Sequence, residues 1–147
     1  MFILACIPAF NEASKISEVV ADAKKYVNEV VVCDDGSTDS TASAAENSGA
    51  YVIKHHTNEG KGSAMKSLFK YALRSQADVI VTIDGDGQFL PKDIPKLCEP
   101  IILGVSDIVK GYRFDDDYKE MPSYRKFGNI FLDQLTSVSS NISLRDT

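Results

Sequence analysis

Short apolar runs recur along the chain with polar, Gly-containing segments between them. They fall at residues 2–7, 29–33, 51–54 and 79–83, with a weaker one at 107–110. Runs of this length, rich in Ile and Val, read as strands buried on both faces. Between them the apolar positions recur every three to four residues, which predicts helices over 14–27, 40–48, 62–75, 92–103 and 123–138. Gly49 stands where a helix C-terminal glycine is expected. Strands alternating with helices predict an α/β fold, a three-layer αβα sandwich with a mostly parallel sheet and helices on both faces.

Ligands of such folds bind beyond the carboxyl ends of the strands. The polar residues gather there. Pro8–Ala13 follows the first strand, Asp34–Asp39 the second, His55–Gly62 the third and Asp84–Gln88 the fourth. Pro8 is expected to stop the ladder, and Asn11 or Ser14 to cap the next helix. The loop 111–122, with its three consecutive aspartates, is the expected mobile segment.

Bulk properties narrow the class. A chain of 147 residues suits one domain with a real core, here 1–147. A formal charge of −5 argues against a general nucleic-acid binder. No apolar run approaches the length of a membrane span. Met1–Ile7 lacks a basic start and ends at Pro8, so it reads as a strand and not as a leader. Cys6, Cys33 and Cys98 are widely spaced in apolar surroundings, which predicts reduced core thiols in a cytoplasmic protein.

The chemistry concentrates in Asp84-Gly85-Asp86-Gly87-Gln88. Two carboxylates two residues apart at a strand end project to one side. Hard cations such as Mg²⁺ or Mn²⁺ often share oxygen ligands between one or two carboxylates and a diphosphate. A solvated turn is the plainer reading. In Asp34-Asp35-Gly36-Ser37-Thr38-Asp39 the acids could accept from a base or a ribose, whereas Asp39 needs only to cap a helix. Asn58-Glu59-Gly60-Lys61-Gly62-Ser63 precedes a helix, where N–H groups and Lys61 could meet a phosphate. It is not a P-loop, because His55 and Gly62 stand where that motif needs Gly and Ser or Thr. Met65 spoils the dinucleotide fingerprint, and Phe89 and Pro95 spoil an EF-hand. His55 and His56 leave a strand pointing apart, so they read as loop histidines and not as a metal pair. Tyr124, Phe127, Phe131, Leu135 and Val138, beside Arg125 and Lys126, read first as a packed helix face, then as a basic amphipathic helix on a membrane surface.

Together these segments, with Gly111-Tyr112-Arg113-Phe114, resemble the family 2 inverting glycosyltransferases of GT-A fold. The subgroup they resemble is the dolichyl- or polyprenyl-phosphate sugar transferases. The resemblance implies a UDP- or GDP-sugar donor, a lipid-phosphate or glycan acceptor and a divalent metal, Mg²⁺ or Mn²⁺. It implies that Pro8, Phe10 and Glu12 line the nucleotide pocket, with Asp35 on the base and Asp34 nearby. Lys61 and Gly62 would sit near base, ribose or phosphate. Asp84, Asp86 and Gln88 would form the metal and diphosphate centre, and Arg113 and Arg125 would meet phosphate groups. Asp146 matches the first residue of the family's Asp-x-x-Ser-Gly-Phe segment, an active-site carboxylate. The chain ends there, so it resembles the N-terminal two-thirds of such a catalytic domain.

Two other readings compete. A sugar-phosphate nucleotidyltransferase would need a Gly-rich basic loop after the first strand, and Pro8–Ala13 offers none. A catalytically incomplete nucleotide-sugar-binding module would keep the pocket without turnover. An unfinished sheet edge at the C-terminal side would favour a homodimer, and a lipid acceptor would favour peripheral contact with the cytoplasmic membrane face.

Overall fold

Four of the apolar runs form parallel strands in the computed structural model, which describes residues 1–87 and 91–111. The strands are β1 (Ile3–Ala9), β2 (Glu29–Asp34), β3 (Tyr51–Lys54) and β4 (Val79–Thr82). The helices are α1 (Ile16–Ala23), α2 (Thr41–Asn47), α3 (Lys61–Arg74) and α4 (Ile94–Ile102), the last entered through a single 3₁₀ turn at Pro91–Asp93. The sheet order is β3-β2-β1-β4, with β1 paired to β2 and to β4. The chain divides into two units, Met1–Val109 and Lys110–Thr147. All of these elements belong to the first.

The period-two alternation of the strands builds two cores. Ala5, Ile7, Ala9, Val30, Val32, Val79, Val81 and Ile83 face one way and pack with Ile16, Val20, Ala45, Ile94 and Cys98 from α1, α2 and α4. Leu4, Cys6, Val31 and Cys33 face the other way, against Ala64, Leu68 and Ala72 of α3. Those three α3 residues are spaced by four, the stripe a helix needs to lie on a sheet. Burying each large side chain contributes about 1.5–3 kcal/mol, so the central strand is held from both sides.

The helix ends follow local chemistry. Gly49 adopts φ +85° after α2, letting its own N–H and that of Ala50 return to the carbonyls of Glu46 and Ala45. Helix α1 is shorter than its periodicity predicts, because Lys25 and Tyr26 make tighter turn bonds to Asp22 and Ala23. Neither Asn11 nor Ser14 caps it. The Glu12 carbonyl receives the N–H groups of Lys15 and Ile16 instead.

Pro8 does not end its strand. Even-numbered residues of β1 bond towards β4, as Ile83 N–H to the Cys6 carbonyl shows, and odd-numbered ones bond towards β2, as Asp35 N–H to the Ala9 carbonyl shows. The missing N–H of Pro8 therefore stops the ladder on the β4 side, where the last pair is Cys6 with Thr82, while the β2 side runs on to Ala9. The run at 107–110 forms no strand. Two apolar residues between charged ones bury too little, and Ile108 is 84% exposed. The expected helix over 123–138, and the expected loop 111–122 beyond Gly111, lie outside the described residues.

All three cysteines are free and buried. Burial pushes the Cys6 thiol up to about 12; burial, then the nearby carboxylates Asp35, Asp34 and Glu59, does the same for Cys33. Since the thiolate is the reactive form, the native protein is expected to leave Cys6 and Cys33 unmodified by an aromatic disulfide reagent at pH 8 and to react fully only in denaturant. Rapid native labelling of either would contradict this packing. Among the described residues no helix is long and apolar enough to cross a membrane.

Candidate functional site

The sheet grows from β1 in one direction through β2 and β3, and in the other through β4. The loops leaving β1 and β4 lie side by side at the carboxyl edge, Gly85 facing Pro8 and Ala9, where the strand order reverses and ligands of such sheets bind. A cleft of about 340 Å³ lies there, lined by Pro8, Ala9, Phe10, Glu12, Asp35, Asn58, Lys61, Ala64, Asp84, Gly85 and Asp86. All four strand-end loops contribute. Seven residues singled out in the sequence thus meet in one place: Pro8, Phe10, Glu12, Asp35, Lys61, Asp84 and Asp86. Asp34 and Gly62 stand outside the lining. Asp34 is buried and closes its own turn by accepting from Ser37 N–H at 3.1 Å, while Gly62 is exposed on α3. Gln88, Arg113, Arg125 and Asp146 lie outside the described residues.

Polar ties between loops fix the walls. Asn11 N–H donates to Ser37 Oγ, and Asn11 Oδ1 accepts from Thr38 N–H, both at 2.9 Å. Glu12 N–H donates to Thr41 Oγ1 at 2.8 Å. Asp39 accepts from the N–H groups of Thr41 and Ala13, and from the Thr41 hydroxyl. The hydroxyl bond, then those N–H groups, hold its carboxyl below the usual range against desolvation. Asp39 thus satisfies the first N–H of α2 from the position before its N-cap, Ser40, and fastens the loop after β1 to it. Phe10, 42% exposed, is left with its ring at the cleft.

Asp35 is the best-tied carboxylate of the site. Only 3% exposed, it accepts from Glu59 N–H at 3.1 Å and Gly60 N–H at 2.7 Å, and lies 2.6 Å from His55 Nδ1. Burial alone would raise its pKa. The His55 contact and the two N–H groups outweigh that and hold the carboxyl below the ordinary value. Asp35 is therefore ionised at neutral pH and His55 Nδ1 is the donor. From the sequence alone His55 reads as a loop histidine, whereas its ring sits against Asp35. Its place one residue beyond β3, with Asp35 one residue beyond the neighbouring strand, was the signal.

Across the cleft, Lys61 Nζ lies 2.6 Å from Asp84 Oδ1. Lys61 opens α3 and Asp84 follows β4, so this pair bridges opposite walls. Asp84 and Asp86 are both half-buried. Gly85 lies between them, with its α-carbon hydrogen facing the Pro8 carbonyl and Ala9. Among the described residues no group of three or more His, Cys, Asp or Glu could hold a metal ion unaided. Two carboxylates nevertheless fit a hard divalent cation that takes its remaining ligands from a diphosphate and water. The ammonium on Asp84 shows that this corner already accommodates positive charge.

Residues 4–143 match the family described as Glycosyl transferase family 2. The chain is 32% identical, over 96% of its length and 64% of the relative's, to UDP-N-acetylglucosamine–dolichyl-phosphate N-acetylglucosaminyltransferase of Methanococcus voltae. It is 32% identical to undecaprenyl-phosphate mannosyltransferase of Micrococcus luteus, over 77% of this chain and 49% of that one. Among solved structures it is similar to glucosyl-3-phosphoglycerate synthase from Mycobacterium tuberculosis in complex with Mn²⁺, UDP-glucose and phosphoglyceric acid. That likeness has a TM-score of 0.60 and 30% identity, and covers 70% of this chain and 40% of the other. The chain spans 61% to 64% of the length of the first curated relatives it matches.

Proposed function

Because the chain belongs to glycosyl transferase family 2, we propose that its cleft binds a nucleoside-diphosphate sugar, with uridine as the nucleoside. The whole protein would pass the sugar, with inversion, to a polyprenyl or dolichyl phosphate. The observation that carries this is the meeting of Asp35, Lys61, Asp84 and Asp86 in one crevice at the switch point of a parallel sheet. The relatives named for polyprenyl-phosphate acceptors, and the neighbour holding UDP-glucose with Mn²⁺, support it.

The roles follow the walls. Asp35 accepts from the imide N–H of the base, and the Phe10 ring covers the base face. Glu12 stands by the ribose. Lys61 moves its charge from Asp84 towards the diphosphate, which lies against the start of α3. Asp84 and Asp86 would hold the divalent cation, with Gln88, outside the described residues, as the further ligand the resemblance implies. When bound, that cation supplies Lewis-acid neutralisation of the departing diphosphate. The family resemblance would have Arg113 and Arg125, both outside the described residues, add positive charge at the phosphates. A lipid phosphate is already largely ionised at neutral pH, its second pKa being about 6, so it attacks without a general base. Asp146 would take the proton from a hydroxyl acceptor instead. The protein's share in sugar transfer to a phosphate is therefore positioning and charge.

Titration calorimetry with UDP-glucose, UDP-N-acetylglucosamine and GDP-mannose, each with and without Mn²⁺, tests the reading. Metal-dependent binding of a UDP-sugar is expected, with GDP-mannose weaker by tenfold or more. A folded chain that binds none of the three would refute it.

A further inference from the structure

We propose that His55 is a positioning residue for nucleotide recognition: it holds the Asp35 carboxylate in the orientation that reads the base. This rests on the nucleotide reading above and assigns a residue to its specificity. His55 continues the sheet beyond β3, its N–H donating to the Asp34 carbonyl at 2.9 Å. That anchor places the ring between the end of β2 and α3, with the side chain only 10% exposed. Nδ1 donates to Asp35 Oδ1 at 2.6 Å. In the neutral ring Nε2 then has no hydrogen and accepts from Ser67 Oγ–H at 2.9 Å. Cys33 Sγ, at 3.5 Å, also faces Nε2, and Glu59 Oε2 stands 3.8 Å from Nδ1.

The bonding capacity of Asp35 shows why this matters. A carboxylate has about four acceptor positions. His55, Glu59 N–H and Gly60 N–H occupy three. One remains, on a carboxylate that lines the cleft. Uracil presents one imide N–H, whereas guanine presents an adjacent N–H and NH₂ that want two acceptors together. Without the His55 donor, Oδ1 regains an acceptor position and the terminal torsion of Asp35, broad by nature, is no longer pinned. Both the strength and the selectivity of base recognition then fall.

The order Asp35, His55, Ser67 has the outline of a hydrolytic triad. The outline is not functional, because Ser67 lies inside α3, where backbone N–H groups serve the helix and cannot form an oxyanion hole.

Asn and Gln at position 55 separate positioning from packing. The Asn amide falls near the place of Nδ1 and keeps a donor for Asp35; the Gln amide falls near Nε2 and keeps only the Ser67 side. Binding of UDP and of inorganic pyrophosphate, each with Mn²⁺, is measured on the full chain for His55→Asn, His55→Gln and His55→Leu, with thermal melts. His55→Asn is expected to bind UDP within threefold of the parent. His55→Gln and His55→Leu are expected to lose about tenfold, or ~1.4 kcal/mol, with pyrophosphate binding unchanged. Equal loss of both probes, no loss in any variant, Asn no better than Gln, or unfolding of both Gln and Leu variants would overturn the proposal. A parent chain that binds pyrophosphate but not UDP would overturn the nucleotide reading itself, a result the variants cannot mimic.

Discussion

Asp86→Ala is expected to abolish the manganese-dependent part of UDP-sugar binding while leaving the fold intact. Asp86 is half-buried in the loop after β4 and lines the cleft, so its removal opens no core. Substitutions of that kind cost about 1 kcal/mol or less. For a bound divalent cation the loss is much larger. A unit charge pair at about 4 Å contributes on the order of 4 kcal/mol at the effective dielectric near a protein surface, which is roughly a thousandfold in affinity. Asp84→Asn should do less harm to metal-free nucleotide binding, since it frees Lys61 from its present partner. Calorimetry with UDP-glucose, with and without Mn²⁺, and a melt of the same sample decide the matter. If the mutant keeps the metal-dependent affinity of the parent, Asp86 is not a ligand.

Gly36→Ala should have the largest effect on stability. Gly36 turns the chain after β2 with φ +73°. A methyl group there would meet the backbone of the loop after β3, 2.6 Å from Asn58 N and 2.8 Å from Thr57 Cα. Left-handed backbone costs a non-glycine residue about 1–2 kcal/mol, and forced overlap about 1–3 more. A loss of about 3 kcal/mol lowers the melting temperature of a chain this size by roughly 10 °C. The displaced loop carries Glu59 and Gly60, whose N–H groups bind Asp35. Nucleotide affinity should therefore fall as well. A melt within 2 °C of the parent would show that the two loops yield easily.

Much of this was legible in the chain because burial on both faces of a parallel sheet leaves unbroken apolar runs. Ile3–Ile7 and Val30–Cys33 could hardly be anything else, whereas β4 buries Val79 and Val81 on one face and leaves Ile80 exposed on the other. The weaker run at 107–110 failed because two apolar residues cannot define a buried strand. Pro8 stopped one side of the ladder only, because its missing N–H faces β4 and leaves the bonds to β2 intact. The cleft was legible as a set of strand ends, since topology alone brings Asp35 and Asp84 to one edge. Their pairing was not. Lys61 with Asp84, His55 with Asp35 and Asn11 with Thr38 link residues 20 or more positions apart, and no local pattern records such a match.

The placement of β1 has a consequence for synthesis. It leaves the ribosome before the other three described strands, yet it ends inside the sheet between β2 and β4. Its β2 edge can pair once residues 29–34 have emerged, but its other edge waits for residues 79–82. During that interval a nascent chain with three of its strands assembled carries a bare, hydrophobic inner edge, the kind of surface that captures other chains. A substitution that weakens β4 should thus betray itself first as poor yield of soluble protein, before any loss of affinity can be measured.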